Sequence, residues 1–173
     1  MKTKILLISI MCVLGQQLLA QKIYVKFKKP EIFSDKTSPV FLANYFDIRD
    51  FHYSIHSDNG KVASGLLSFT IDESIVSPQL WKNLFQPETV MDLELVFTKT
   101  AGLNELTYLT IRCDKSYINA ISTTIQKNEV TELRLQLWVN EYSIQYKEMG
   151  DSGNFLGNYS TGWSYLKNIP KVF

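Results

Sequence analysis

The sequence predicts a mainly β domain, a compact two-sheet β-barrel or sandwich with one short flanking α-helix over about residues 77–86. Three observations predict it. Apolar residues alternate with polar ones in segment after segment, the period-two signature of half-buried strands. Turn chemistry separates those segments, most clearly at Ser57-Asp58-Asn59-Gly60, a strong hairpin signal. Only one stretch has convincing helical spacing, and a single one-sided helix among strands must lie on a sheet or a barrel rim to bury its apolar stripe.

That helix is fed by the stretch around which the chain is organised, Ser64 to Phe85. Leu66, Leu67, Phe69 and Ile71 read as a buried strand, broken by Asp72, Glu73 and Ser74. Ser77 offers a hydroxyl to cap orphan backbone N–H groups, and Pro78 fits the first helical position, where a missing N–H costs nothing. Leu80 with Leu84, and Trp81 with Phe85, are each four apart and share a face; Pro87 stops the helix.

Taken in order, the chain opens on Lys2 and Lys4, an apolar run from Ile5 to Leu14, then Gly15-Gln16-Gln17 and Leu18-Leu19-Ala20. This is the pattern of a secretory signal peptide, residues 1–20, and predicts an exported protein, periplasmic or secreted, with no stable membrane anchor after cleavage. The run is well short of the ~20 residues of a spanning helix, and Ile10-Met11 before Cys12 do not suit a lipoprotein box. The domain is then residues 21–173. Two of the 18 basic residues leave with the leader, so 16 face 17 acidic ones, a balance that predicts no nucleic-acid partner. Cys113 remains as a single cysteine, which excludes an internal disulfide and reads as a buried strand residue.

Ile23, Val25 and Phe27 define a first strand, and residues 30–44, with two prolines, read as a loop whose Val40-Phe41-Leu42 packs on the core. Phe46 and Ile48, then Phe51, Tyr53 and Ile55, predict a second strand with a bulge near Arg49-Asp50. Beyond the helix, Met91 to Phe97 and Leu106 to Ile111 alternate around a turn at Thr100-Ala101-Gly102; Asp114-Lys115-Ser116 kinks the chain before it continues from Tyr117 to Ile125. Leu133, Leu135, Leu137 and Val139 are in one phase and Tyr142, Ile144 and Tyr146 in the other, so a bulge is expected near Asn140-Glu141. Gly150 to Asn154 turn, and Phe155 to Leu166 make a final strand.

No constellation carries catalysis, so no catalytic, cofactor-binding or metal residue is assigned and no cofactor is expected. His52 and His56 would be a metal pair on a helix, but on a strand they stand roughly 13 Å apart. Gly150-Asp151-Ser152-Gly153 matches the segment around the nucleophile of trypsin-like proteases, yet F-H-Y-S around His52 lacks that family's histidine context, and a turn explains the tetrapeptide better. Asp72-Glu73 is an acidic pair without a partner for paired-carboxylate chemistry. Lys22, Lys26, Lys28 and Lys29 form the most basic patch, a solvated strand face or an interface to an acidic neighbour.

From Lys61 onward the chain resembles the haemolysin-coregulated protein (Hcp) family, the tube proteins of type VI secretion. The residues that carry the resemblance are K-V-A-S-G-L-L-S-F-T before the helix, S-P-Q-L-W at 77–81, L-E-L-V-F-T-K at 93–99, Y-L-T-I-R at 108–112 and I-N-A-I-S at 118–122. Thr131-Glu132 and the terminal T-G-W at 161–163, followed by Lys167-Asn168, complete the ordered set. The resemblance implies a structural protein rather than an enzyme: a self-assembling six-subunit ring, stacked into a tube, with secretion-apparatus or effector proteins as partners. Two features depart from the family. Tube-building members assemble in the cytoplasm without a signal peptide, and their long connection before the position of Lys61 is here only S-D-N-G. Residues 30–44 replace it or ring stacking is lost. A second reading follows, a Sec-exported barrel that works as a monomeric or small-oligomeric binding module.

Overall fold

The computed structural model describes residues 21–32, 44–58, 61–72, 77–86, 88–101, 104–125, 131–150 and 153–171. The leader at 1–20, the Val40-Phe41-Leu42 run, Glu73, Pro87 and Ser152 lie outside the described residues. The strands are β1 (Gln21–Lys29), β2 (Glu31–Ile32), β3 (Phe46–Asp58), β4 (Lys61–Asp72), β5 (Met91–Ala101), β6 (Asn104–Ile125), β7 (Thr131–Met149), β8 (Phe155–Ser164) and β9 (Ile169–Pro170), and the helix is α1 (Ser77–Phe85).

All strand pairings are antiparallel, and six strands close on themselves. β1 pairs with β3 and β5, β3 with β4, β5 with β6, and β6 with β7, and β4 returns to β7 from Gly65↔Val139 to Asp72↔Glu132. Closure leaves the inner face of each strand as the only place to bury a core, so alternate residues turn inward. Val25, Phe27, Leu67, Phe69, Ile71, Met91, Leu93, Leu95, Cys113, Leu133, Leu135, Leu137 and Val139 are almost completely buried there. Phe27 meets Phe46 edge to face at 5.5 Å, and Phe51 meets Phe97 at 5.1 Å.

The bulge expected near Arg49-Asp50 is present. The β3–β4 register shifts between Arg49 and His52, and Asp50 takes a left-handed backbone with φ 51°. Its Oδ2 accepts a hydrogen bond from Thr70 Oγ1 at 3.2 Å. The extra residue moves Phe46 and Ile48 on one side, and Phe51 and Tyr53 on the other, onto the same core.

The bulge expected near Asn140-Glu141 is absent: β7 keeps register there with both β6 and β8, and the β6–β7 shift falls at Ile118/Ala120. The phase change in β7 is instead shared with β6. Ser116 pairs with Val139 and Cys113 with Tyr142, so each strand has two residues between successive core-facing positions instead of one. Lys115 takes up the odd residue with φ 52°, and its N–H donates to Asp92 Oδ1 at 2.9 Å. Because both strands flip together, Asp114↔Glu141 and Ser116↔Val139 stay in step across the kink. Past the kink β7 leaves β4 and takes β8 as its second neighbour, from Glu141↔Ser164 to Met149↔Phe155.

Further sequence expectations are corrected. Residues 31–32, read as loop, form β2 against Phe27 and Lys28 of β1. The last strand ends at Ser164, and the chain turns back to pair Ile169 and Pro170 with Ser164 and Trp163. The helix begins at Ser77 as expected and ends one residue before the expected 86, but its stripe is shifted. Ser77, Leu80 and Asn83 are buried, whereas Phe85 is 76% exposed and stacks on Trp81 at 6.3 Å. The buried residues are three apart, and Asn83 Nδ2 reaches Met91 Sδ of β5 at 4.0 Å, so the final turn presents only Phe85 and its outer face to solvent.

Candidate functional site

Apart from Glu73, Asp151 and Ser152, which lie outside the described residues, the residues with a chemical reading in the sequence can be placed. His52 is exposed on β3 opposite Ser68, and His56 stands opposite Ser64 on the same strand. The strand spacing keeps them apart, and among the described residues no group of His, Cys, Asp and Glu could hold a metal. Of the Gly150-Asp151-Ser152-Gly153 segment, Gly150 and Gly153 are described, between β7 and β8. Gly153 N–H donates to Gly150 C=O at 2.9 Å, and Gly150 N–H donates to Asn154 C=O at 2.8 Å. Asp72 ends β4 in an ion pair with Arg49, whose guanidinium also reaches Glu132 at 3.1 Å. Cys113 is fully buried, and burial pushes its thiol far above the usual range, so it stays protonated.

The lysines of β1 are less free than a solvated face requires. Lys28 Nζ reaches Glu94 at 2.5 Å, and Lys26 Nζ lies 5.7 Å from the centre of the Tyr45 ring. Glu94 is a hub on the outer face of β5: it also accepts from Tyr45 Oη at 2.5 Å and Arg112 Nε at 3.0 Å. Burial works against the charge, but the Lys28, Tyr45 and Arg112 hydrogen bonds outweigh it and hold the carboxyl below its ordinary range. Tyr45, Tyr24 and Val96 form a small second apolar cluster beside this hub. The hub thus pins the chain at residue 45 to the wall of the barrel.

A second hub, Glu141, lies at the kink of β6 and β7. Its Oε1 accepts from Lys115 Nζ at 2.7 Å and Ser164 Oγ at 3.1 Å, and its Oε2 from Lys171 Nζ at 3.1 Å. Lys171 also pairs with Asp114. These bonds, led by that of Lys115, hold the Glu141 carboxyl down at about 2. Asp114, Lys115, Glu141 and Lys171 line a cleft of ≈ 470 Å³ together with Lys29 and Asp92. Asp114 and Glu141 each have a cationic partner, and Asp92 accepts the Lys115 N–H, so the hub at this cleft is a structural network.

On the opposite face of β7, Tyr142 lies between Tyr53 and Tyr165, at ring distances of 6.0 and 5.6 Å, and the Tyr53 and Tyr165 hydroxyls are 3.2 Å apart. Beyond them the β7–β8 arm projects with apolar residues outward: Tyr146, Phe155, Leu156 and Tyr159 are all exposed. Among the described residues nothing pairs with the outer edge of β8 from Phe155 to Thr161. An unpaired edge leaves main-chain donors and acceptors open to another strand. The alternation at 142–146 marked these residues as strand, but the sequence held no sign that the arm leaves the barrel.

No protein-family model matches the chain, and no curated protein matches it in sequence. Solved structures do match it in fold. Hcp1 from Salmonella typhimurium is 19% identical with a TM-score of 0.72, over 88% of this chain and 99% of that one. A type six secretion system protein is 17% identical with a TM-score of 0.76, over 88% and 100%. The secreted protein Hcp3 from Pseudomonas aeruginosa is 12% identical with a TM-score of 0.55, over 84% and 98%. The chain therefore has the Hcp fold, that of the type VI secretion tube proteins, at a sequence distance where the fold alone is shared.

Proposed function

We propose that this protein is a structural, non-enzymatic subunit that associates with copies of itself into six-subunit rings of the tube type, able to stack and to carry effector proteins in the lumen. The observation that carries the reading is the coverage of the fold match: 99–100% of two type VI secretion structures is matched by 88% of this chain. The open, aromatic edge of β8 supports it, because a head-to-tail ring needs surfaces that a monomer leaves unsatisfied.

A second reading rests on Lys2, Lys4 and the apolar run Ile5 to Leu14. An exported chain would leave the cytoplasm before ring assembly and act as a periplasmic or secreted barrel, monomeric or in a small oligomer. Light scattering after size exclusion, on the protein from residue 21 onward, separates the two. The ring reading expects a mass near six protomers and a central hole by electron microscopy. A monomer across a wide concentration range would overturn it in favour of the exported module.

A further inference from the structure

We propose that the C-terminal strap, Tyr165 to Lys171, is a detachable latch on the barrel, closed by the single ammonium group of Lys171. Tyr165, at the root of the strap, is buried against Tyr142 and its hydroxyl meets that of Tyr53, but the residues after it have little else to hold them. Leu166 is 60% and Ile169 49% exposed, and the residues between them are exposed as well. Its strand pairing is two residues long, and one of them, Pro170, has no N–H to donate. Tyr165 N–H donates to Asn140 C=O at 2.8 Å, which fixes the start of the strap to β7. Asn168, with φ 52°, then turns the chain back over the outer edge of β8. At the far end, Lys171 N–H donates to Gly162 C=O at 2.9 Å, and its side chain reaches Asp114 and Glu141.

The hub is arranged so that the strap can leave without harm to the barrel. When Lys171 withdraws, Glu141 keeps Lys115 and Ser164, and Asp114, about a third exposed, is taken up by water. The buried carboxylate is thus never orphaned, which is the condition under which breaking an ion pair is costly. Release would uncover the main chain of Trp163 and Ser164, so that the open edge of β8 runs from Phe155 to Ser164.

Amide hydrogen exchange on the intact protein tests the latch. Lys171→Met should speed exchange in peptides covering 163–171 by at least about tenfold and leave the β4–β7 ladder as protected as before. Lys171→Arg, which keeps the cation, should restore the protection. Lys115→Met, which removes the other cation from Glu141 but does not touch the strap, should leave 163–171 protected. Unchanged exchange in Lys171→Met would overturn the proposal. So would strap release of equal size in Lys115→Met, or loss of barrel protection together with the strap.

Discussion

Gly162 has no room for a methyl group. A Cβ there would meet Tyr142 O at 2.6 Å, Lys171 O at 2.8 Å and Ser143 Cα at 2.9 Å, all of them backbone atoms. The glycine of the T-G-W segment is therefore required by three main chains meeting at one point, the strands β7 and β8 and the strap. Gly162→Ala should destabilise the fold by about 1–3 kcal/mol, the usual cost of overpacking, measured by chemical denaturation. Ser116 presents the opposite case. It is fully buried opposite Met91 and Val139, and its Oγ has no hydrogen-bond partner. A buried, unpaired hydroxyl costs about 1–3 kcal/mol, so Ser116→Ala should leave stability unchanged or raise it by about 1 kcal/mol. Loss of stability in that variant would show that the hydroxyl is satisfied in solution. Neither effect is visible in the sequence, where Gly162 stands in the T-G-W segment of the last strand and Ser116 is part of a polar kink.

Among the elements, the two carboxylate hubs decide how the strands hold their irregular ends. Glu94 fastens residue 45 to β5, and Glu141 joins β6, β7, β8 and the strap. Both carboxyls are held below their ordinary pKa, Glu141 at about 2. A depressed folded-state pKa means that the unfolded chain takes up protons first as pH falls. The stabilisation is therefore complete above the ordinary carboxylate range, near 4.5, and is lost as pH drops from there toward about 2. Denaturation midpoints should be level from neutral pH to about 5 and fall below it. Glu141→Gln should flatten part of that fall, and an unaltered acid limb in the variant would remove Glu141 from the account. Sequence alternation located each strand near these hubs, because the pattern of buried and exposed faces is local. It did not show that Lys28, Glu94 and Arg112 come from three different strands of one surface, since ion pairing across strands depends on register.

For the molecule as a whole, the β4–β7 pairing converts a row of strands into a closed barrel with one shared core. Closure couples the six strands, so their central amides should exchange slowly and together, at the rate of global unfolding, while the β7–β8 arm beyond Tyr146 exchanges faster. Exchange of β4 well ahead of β5 and β6 would show an open sheet instead. By itself the sequence determined the fold class, the sites of the Arg49-Asp50 bulge and the Lys115 kink, the start of α1 and a buried Cys113, and the ordered motifs pointed to the Hcp fold. Each of these rests on residues close together in the chain, where side-chain period and turn chemistry act. Only the tertiary structure decided that β4 closes on β7, that Phe85 faces solvent, that β8 carries an open aromatic edge and that Lys171 reaches back to Glu141. Those depend on pairings tens of residues apart, whose outcome is set by which surfaces bury one another and not by any local preference.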